Sequence, residues 1–384
     1  MGERLPNDDS GGLVTTQRTP LHPVHERAGA TFTDFAGFDM PVRYSSDLVE
    51  HHAVRTGAGL FDLSHMAEIE VRGSDGAAYL DYALSNKVSI LENGQAKYSL
   101  LLSESGGIID DLIVYRLDNE HYIIVANASN RDPAATALRT RAAGFDVLVE
   151  DVSDNWVLLA VQGPHALAIL NAASKVVPAG SLDELRYYRI QHATLAGAPG
   201  FIARTGYTGE DGFELYVPAT QAEALWHDLV EAGAGHDLVL CGLACRDTLR
   251  LEAGMPLYGH ELSLWTTPES AGFSRVVDHT KEDFVGKAAL SATPAAPRVL
   301  VGLVAQGRRA PRAQYPVIEP ASGEVIGEVT SGALSPTLGY PIAMAFVDRG
   351  HSSIGSNIAV DVRGQSLAVT VTKLPFYSRK KETS

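Results

Sequence analysis

Cysteine is nearly missing from this chain: 384 residues contain two, Cys241 and Cys245. Two thiols cannot form a disulfide framework, and their spacing on a predicted helix without a neighbouring histidine suits a structural zinc site poorly. A reducing cytoplasm fits such usage. Positive charge is also in deficit. With 31 Lys and Arg against 46 Asp and Glu the net charge is −15, which argues against nucleic acid or an anionic membrane as partner. No apolar run approaches the ~18 to 20 residues that span a bilayer. Residues 1–18 lack the apolar core of a signal peptide, and Glu3, Asp8 and Asp9 disfavour a mitochondrial leader, so they read as a disordered arm. Pro6 stands where a myristoylation signal wants Ser or Thr. GxGxxG, P-loop, HExxH and GxSxG patterns are all missing, which removes support for nucleotide, zinc-hydrolase and α/β-hydrolase chemistry.

What remains is a chain with 45% apolar and 20% charged residues, enough to fold, and long enough for two or three domains of ~100 to 200 residues. The stretch SDLVEHHAVRTG has helical spacing from residue 46. In LFDLSHMAEIEVRG, Ala67, Ile69 and Val71 alternate with Met66, Glu68 and Glu70 as in a half-buried strand. A helix over 74–84 precedes the runs AKYSLLL, IIDDLIVYRL and HYIIVAN, whose separators SESGG and DNE predict an antiparallel meander. Further helices near 130–143, 164–175 and 219–233 are interspersed with strands near 146–152, 156–162, 187–194, 200–205 and 212–217. That order is α+β, not a regular βαβ alternation. Beyond Pro297, short β-type runs between Gly, Pro and Ser clusters predict a small antiparallel barrel or roll. Residues 298–384 hold 10 Lys and Arg against 6 Asp and Glu, a basic face on an acidic protein.

A weak repeat at an offset of 90 sets Val71-x-Gly73 with Ala78, Leu80 and Ala83 against Val161-x-Gly163 with Ala168, Leu170 and Ala173. Duplication and coincidence between common strand–helix units both account for it. Under duplication, the acids Asp111 and Glu214 on the following hairpins would be counterparts.

The densest chemistry lies in three places. In GGIIDDLIV, Asp110 and Asp111 are consecutive in an apolar strand, so alternation turns one of them inward. A buried carboxylate is costly unless paired or used, so the inward one is a candidate acid, base or cation stabiliser; capping of the hairpin is the plainer reading. Asn127 ends the next strand where it could orient that carboxylate or simply close a turn. RTGYTGEDGFELYV, with three glycines around Tyr207, is richer than a connection requires and resembles a binding loop; Glu214 follows in its strand, where solvent exposure is the ordinary expectation. In GLACRDTLRLEAG, Arg246 and Arg250 stand at i, i+4 near Asp247 and Glu252, the usual pattern of a helix-surface ion-pair network. The histidines of HPVHER and EHHAV show no coherent partner set and read as surface or supporting groups.

Taken together, TPLHPVHERAGATFTDFAGFDMPVRY, LFDLSHM, GGIIDDLIVY, VANAS, VQGP, RTGYTGEDGFE, GLACRDTLRLEAGMPLYGHEL, DFVGK and TSGALSPTLGYPIAMAFV resemble the T-protein family of the glycine cleavage system, over nearly all of residues 19–378. The KGCYxGQE loop of iron–sulfur-related folate binders is absent. The resemblance implies a three-domain cloverleaf around a central folate cavity, with a disordered arm over 1–18. Two α+β domains over 19–150 and 151–297, possible interleaving included, would be followed by a β domain over 298–384. It implies an aminomethyltransferase that uses tetrahydrofolate as co-substrate, needs no metal, and takes its substrate from a lipoylated H-type carrier protein in the cytoplasm. A related folate-dependent demethylase or a non-catalytic folate binder are the alternatives. By the same resemblance Asp111 is the catalytic residue, and Met66, Tyr98, Asn127, Tyr207, Glu214, Arg246 and, near the C-terminus, Tyr377 or Arg379 contact folate.

Overall fold

The computed structural model of the protein describes residues 16–379. Helix α1 (His22–Arg27) leads into a two-stranded hairpin, β1 (Thr31–Phe35) and β2 (Phe38–Arg43), then α2 (Asp47–Thr56) and β3 (Ala58–Asp62). Ser46 caps α2 through its side chain, which accepts from the Val49 amide. The next segment builds one sheet: β4 (Ala67–Arg72), α3 (Gly76–Ala83), β5 (Gln95–Leu102), β6 (Ile108–Arg116), β7 (His121–Ala126), α4 (Arg131–Arg141) and β8 (Leu148–Asp151). Its strand order is β5-β6-β7-β4-β8, with antiparallel pairing throughout, as expected of a meander.

A second, seven-stranded sheet follows. Its chain segments are β9 (Trp156–Gln162), α5 (Ala166–Ala172), β10 (Val176–Pro178), β11 (Ile190–Leu195), β12 (Ala198–Ala203), β13 (Gly212–Pro218), α6 (Ala222–Gly233) and β14 (Leu238–Leu240), and α7 (Leu243–Glu252) leads out of it. The order β10-β11-β12-β13-β9-β3-β14 inserts β3 from the front of the chain. Leu21, Val24, Ala58 and Leu60 accordingly sit in the core of this second sheet. The chain thus crosses a boundary at residue 150: α1 and β3 belong to the second sheet's core, while β1 and β2 form a sheet of their own. In the other direction, Leu262, Ala271, Val277 and Phe284 pack on Leu100, Leu102 and Ile108 of the first sheet, so the segment assigned to a domain ending at 297 crosses back. After α8 (Lys287–Ala292) the chain closes a six-stranded barrel: β15 (Arg298–Ala305), β16 (Pro316–Ile318), β17 (Val325–Leu334), β18 (Pro341–Asp348), β19 (Asn357–Asp361) and β20 (Ser366–Thr372). The short β16 had no readable alternation in the sequence. The N-terminal arm lies largely outside the described residues, but Gln17 is ordered: its amide donates to Gly37 and its carbonyl accepts from Asp39.

The repeat is visible in the topology. β5-β6-β7-β4 has the same neighbour order as β11-β12-β13-β9, with β4 and β9 each leading through a glycine to α3 and α5; the fifth strands differ, since β8 follows β7 in the chain whereas β3 precedes β9. Both glycines are required. Gly73 and Gly163 have φ of +144° and +131°, and an added Cβ would meet a backbone oxygen at 2.1 and 2.4 Å. The expected equivalence of Asp111 and Glu214 fails, however. Asp111 is on β6, whose counterpart is β12, whereas Glu214 is on β13, the counterpart of β7.

The ion pairs of α7 are not a surface network. Arg250 is 1% exposed, pairs with Glu261 at 3.0 Å and Asp247 at 2.8 Å, and donates to Ser331 of β17 at 2.8 Å, joining the helix to the barrel. Glu252 accepts from Arg55, Ser335 and Thr337 and faces His51, and these partners outweigh burial to hold its carboxyl down at about 2. Of the histidines that read as surface or supporting groups, three are buried supports: His22 bonds Asp39, His25 bonds Asp62 and Tyr44, and His51 bonds Thr248 and Thr337.

Candidate functional site

Between the two sheets and the loop after α7 lies a cavity of about 310 Å³. Met66, Tyr98, Asp111, Asn127, Tyr207, Glu214 and Arg246 all line it. Seven residues from six separate chain segments therefore meet in one place.

At one end stands Asp111. The hairpin register sets Leu100 of β5 opposite it, and Tyr98, two residues away on the same face, donates its hydroxyl to Asp111 Oδ2 at 2.9 Å. Asn127 lies where the β6–β7 register would continue past Ile113 and Val125, which places it opposite Asp111. Its Nδ2 donates to Asp111 Oδ1 at 2.9 Å, to the Asp111 carbonyl at 3.0 Å and to Asp110 Oδ1 at 2.8 Å. One amide with two N–H bonds thus serves three acceptors. Asp110 turns away from the cavity, fully buried, and also accepts from the Asn127 amide and from Asn130 Nδ2. Burial raises both carboxyls above the ordinary range; the Asp111 charge adds to the rise at Asp110, while the Tyr98 and Asn127 donors oppose it at Asp111.

At the other end is Glu214, on β13 and 8% exposed, in contrast with the solvent-facing strand carboxylate that spacing alone favours. Thr205 Oγ1 donates to its Oε2, as does the Tyr115 hydroxyl at 3.3 Å, and Tyr115 and Thr205 are themselves bonded at 2.9 Å. Among the described residues none donates to Oε1. Burial raises the Glu214 carboxyl, while Thr205, the Arg246 charge and Tyr115 oppose the rise. The Arg246 guanidinium lies 4.7 Å from the Tyr207 ring centroid, in cation–π geometry, and among the described residues it has no carboxylate partner within salt-bridge distance. Tyr207 is fixed by donating its hydroxyl to the Pro256 carbonyl.

Tyr377 stands apart from these seven and does not line the cavity: its amide donates to the Glu252 carbonyl at 2.8 Å, and Arg55, held by Glu210 and Glu252, lies 4.1 Å from its ring centroid. Arg379 pairs with Asp211 at 3.2 Å instead. Sequence reasoning missed Phe35, His65, Tyr188 and the run Met255–Tyr258, all on the cavity wall. Tyr188 reaches it from a left-handed backbone (φ +61°), which no local pattern announces for a tyrosine.

Among the described residues, one group of possible metal ligands converges: Glu50, Cys241 and Cys245, buried, with ligand atoms within 4.8 Å of one another. Glu50 is already occupied by the amides of Tyr44, Ser45 and Gly242, which explains its burial without an ion. No helix of the described residues is long and apolar enough to cross a membrane.

Residues 21–281 match the GCVT N-terminal domain family, and residues 298–378 match the glycine cleavage T-protein C-terminal barrel domain. The chain is similar to the aminomethyltransferase of Cutibacterium acnes, at 55% identity over 96% of this chain and 100% of that one. It is 56% identical to the aminomethyltransferase of Streptomyces avermitilis, over 95% and 98%. A crystal structure of glycine cleavage system aminomethyltransferase T from Bartonella henselae superposes with a TM-score of 0.87 at 39% identity, covering 94% of this chain and 98% of the other. On these grounds the chain belongs to the glycine cleavage T-protein family of aminomethyltransferases.

Proposed function

We propose that the cavity holds tetrahydrofolate, with its pterin edge on Glu214 and its reactive nitrogens near Asp111, and that the enzyme receives an aminomethyl group on the dihydrolipoyl arm of an acidic H-type carrier in the cytoplasm. The products are 5,10-methylenetetrahydrofolate and ammonia. The observation that carries this reading is the pair of buried carboxylates lining one cavity: Glu214 with one oxygen clamped and the other free, and Asp111 oriented by Tyr98 and Asn127. A pterin edge carries adjacent N–H donors that a carboxylate accepts side by side, which removes the burial cost of Glu214. Met66, Tyr98 and Tyr207 supply flat or adaptable apolar contact for the rings. The methylene passes to folate through an iminium-like cation, and a preorganised carboxylate at Asp111 stabilises that charge and fixes the folate geometry.

Ammonia release tests the reading directly. With the aminomethylated lipoyl carrier and tetrahydrofolate, ammonia and methylenetetrahydrofolate should appear in equal amounts. Folate binding with no ammonia above background, and reaction with a small methyl donor instead, would replace this function by a demethylase; binding with no turnover on either would leave a folate binder.

Carrier docking should use the basic C-terminal domain. Arg308, Arg309, Arg312, Lys373 and Arg379 are exposed, while Lys380 and Lys381 lie outside the described residues. Lys373 lines a cleft of about 410 Å³ that shares Gly254, Pro256 and Phe273 with the central cavity. Such rim charges steer encounter and weaken in salt. Charge reversal at Arg308 and Arg309 is expected to raise the carrier KM several-fold and flatten its salt dependence, with folate affinity unchanged. An unaltered salt response in steady-state kinetics would exclude this face.

A further inference from the structure

The β1–β2 hairpin is fastened at its base by α7 and beside its turn by His22 and by Gln17, whose amide donates to the Gly37 carbonyl and whose carbonyl accepts from the Asp39 amide. β2 packs on α7 so closely that a Cβ on Gly242 would come within 2.4 Å of Val42 backbone atoms. His22 stacks on Phe32 at 4.5 Å and bonds Asp39 at 2.8 Å. Among the described residues β1 pairs only with β2. The turn runs through Ala36 (φ +52°) and Gly37 (φ +82°), both exposed, as is Asp34. Phe35, between those exposed residues, nevertheless lines the cavity, so its ring stands where the cavity meets solvent. It meets His65 edge to face, with centroids 5.4 Å apart and an interplanar angle of 87°. His65 is 2% exposed and among the described residues has no partner for Nδ1, and burial, helped by the Arg246 charge, pushes its imidazole down to about 4, so the platform beneath Phe35 is neutral.

We propose that Phe35, held in place by this hairpin, covers the cavity mouth and thereby decides whether the methylene goes to folate or to water. The inference rests on the function proposed above. The competing reaction is hydrolysis: water adds to the methylene carbon, the C–S and C–N bonds break, and RS–CH2–NH2 plus H2O becomes RSH, CH2O and NH3, with no change in redox state. An electrophilic carbon in a wet site takes that route, and an apolar ring over the mouth removes the nucleophile without touching the reacting atoms. Phe35 is in this sense a specificity-determining residue.

The test is the ratio of ammonia released without folate to that released with saturating tetrahydrofolate, using the aminomethylated lipoyl carrier and the full chain. Phe35→Ala should raise that ratio roughly tenfold, equivalent to about 1.4 kcal/mol between the two barriers. Phe35→Leu, which keeps an apolar cover, should stay near the wild-type ratio, and both variants should keep the wild-type melting temperature. An unchanged ratio in Phe35→Ala would overturn the proposal. So would equal losses in both rates with weakened folate binding, since Phe35 would then merely pack against the ligand. Absence of any ammonia from the wild-type enzyme would instead defeat the underlying function, an outcome distinct from either.

Discussion

Asp111→Asn is expected to lower turnover by about 10² to 10³ while leaving fold and folate affinity largely intact. Asn keeps the size of the side chain and an oxygen that can still accept from Tyr98 or Asn127. What disappears is the negative charge facing the iminium-like transition state, and a preorganised charge in a water-poor cavity acts far more strongly than the same charge in solvent. The effect should fall on kcat with little change in folate Kd, because the charge is used in the transition state more than in the ground state. Since burial raises the Asp111 carboxyl, and only the ionised form balances the cation, wild-type activity should fall as pH drops, with its acid limb above the ordinary carboxylate range. Ammonia release and folate calorimetry on the same preparations decide the matter, and a fully active Asp111→Asn would overturn the assignment.

Asp110 is a less independent control than strand alternation suggests. Alternation does turn it to the opposite face, but Asn127 Nδ2 contacts both carboxylates, so the two acids share one orienting group. Asp110→Asn would set an amide against the N–H donors of Asn127 and Asn130, at a cost of about 1 to 3 kcal/mol in stability. It should also slow turnover through a displaced Asn127, by less than Asp111→Asn. Equal rate losses in the two variants would assign the catalytic charge to the pair.

The reach of the sequence differed from place to place, for physical reasons. Local periodicity placed α2, α3, the meander and the barrel strands, because each buries one face and repeats at its own period. The Asp111–Asn127 meeting was legible for the same reason, since a short hairpin between two strands leaves few possible registers. The β3–β9 pairing was not. It joins strands some hundred residues apart, and nothing local in AGLFD distinguishes the sheet it enters. Arg246 and Arg250 share a helix face by spacing, yet one enters the cavity and the other is sealed under the barrel, because the covering surface comes from residues 261 and 331. Tyr377 belongs to the same class: its position is set by Arg55 and Glu252, far away in sequence.

The second large effect is on binding. Glu214→Gln is expected to weaken tetrahydrofolate by about 1.5 to 3 kcal/mol, one to two decades in Kd, with a smaller change in kcat at saturating folate. The structure makes this sharper than a count of hydrogen bonds would. Thr205 and Tyr115 both donate to Oε2, so the carboxylate cannot turn freely and Oε1 is the oxygen left for the ligand. Gln in that place keeps only one acceptor oxygen: if it takes the Thr205 and Tyr115 donors, the NH2 group points at the N–H donors of the pterin edge. With the amide reversed, the two hydroxyls turn to accept from NH2, and the pterin edge meets a neutral oxygen in place of a charged one. A pH dependence separates this from simple packing loss. Burial raises the Glu214 carboxyl in the free enzyme, and the ligand favours its ionised form, so wild-type affinity should weaken as pH falls through that raised value. In Glu214→Gln the same titration should lose this component. Calorimetry across pH on both proteins, with matched melting curves, tests both parts, and unchanged affinity would mean that the pterin edge lies elsewhere in the cavity.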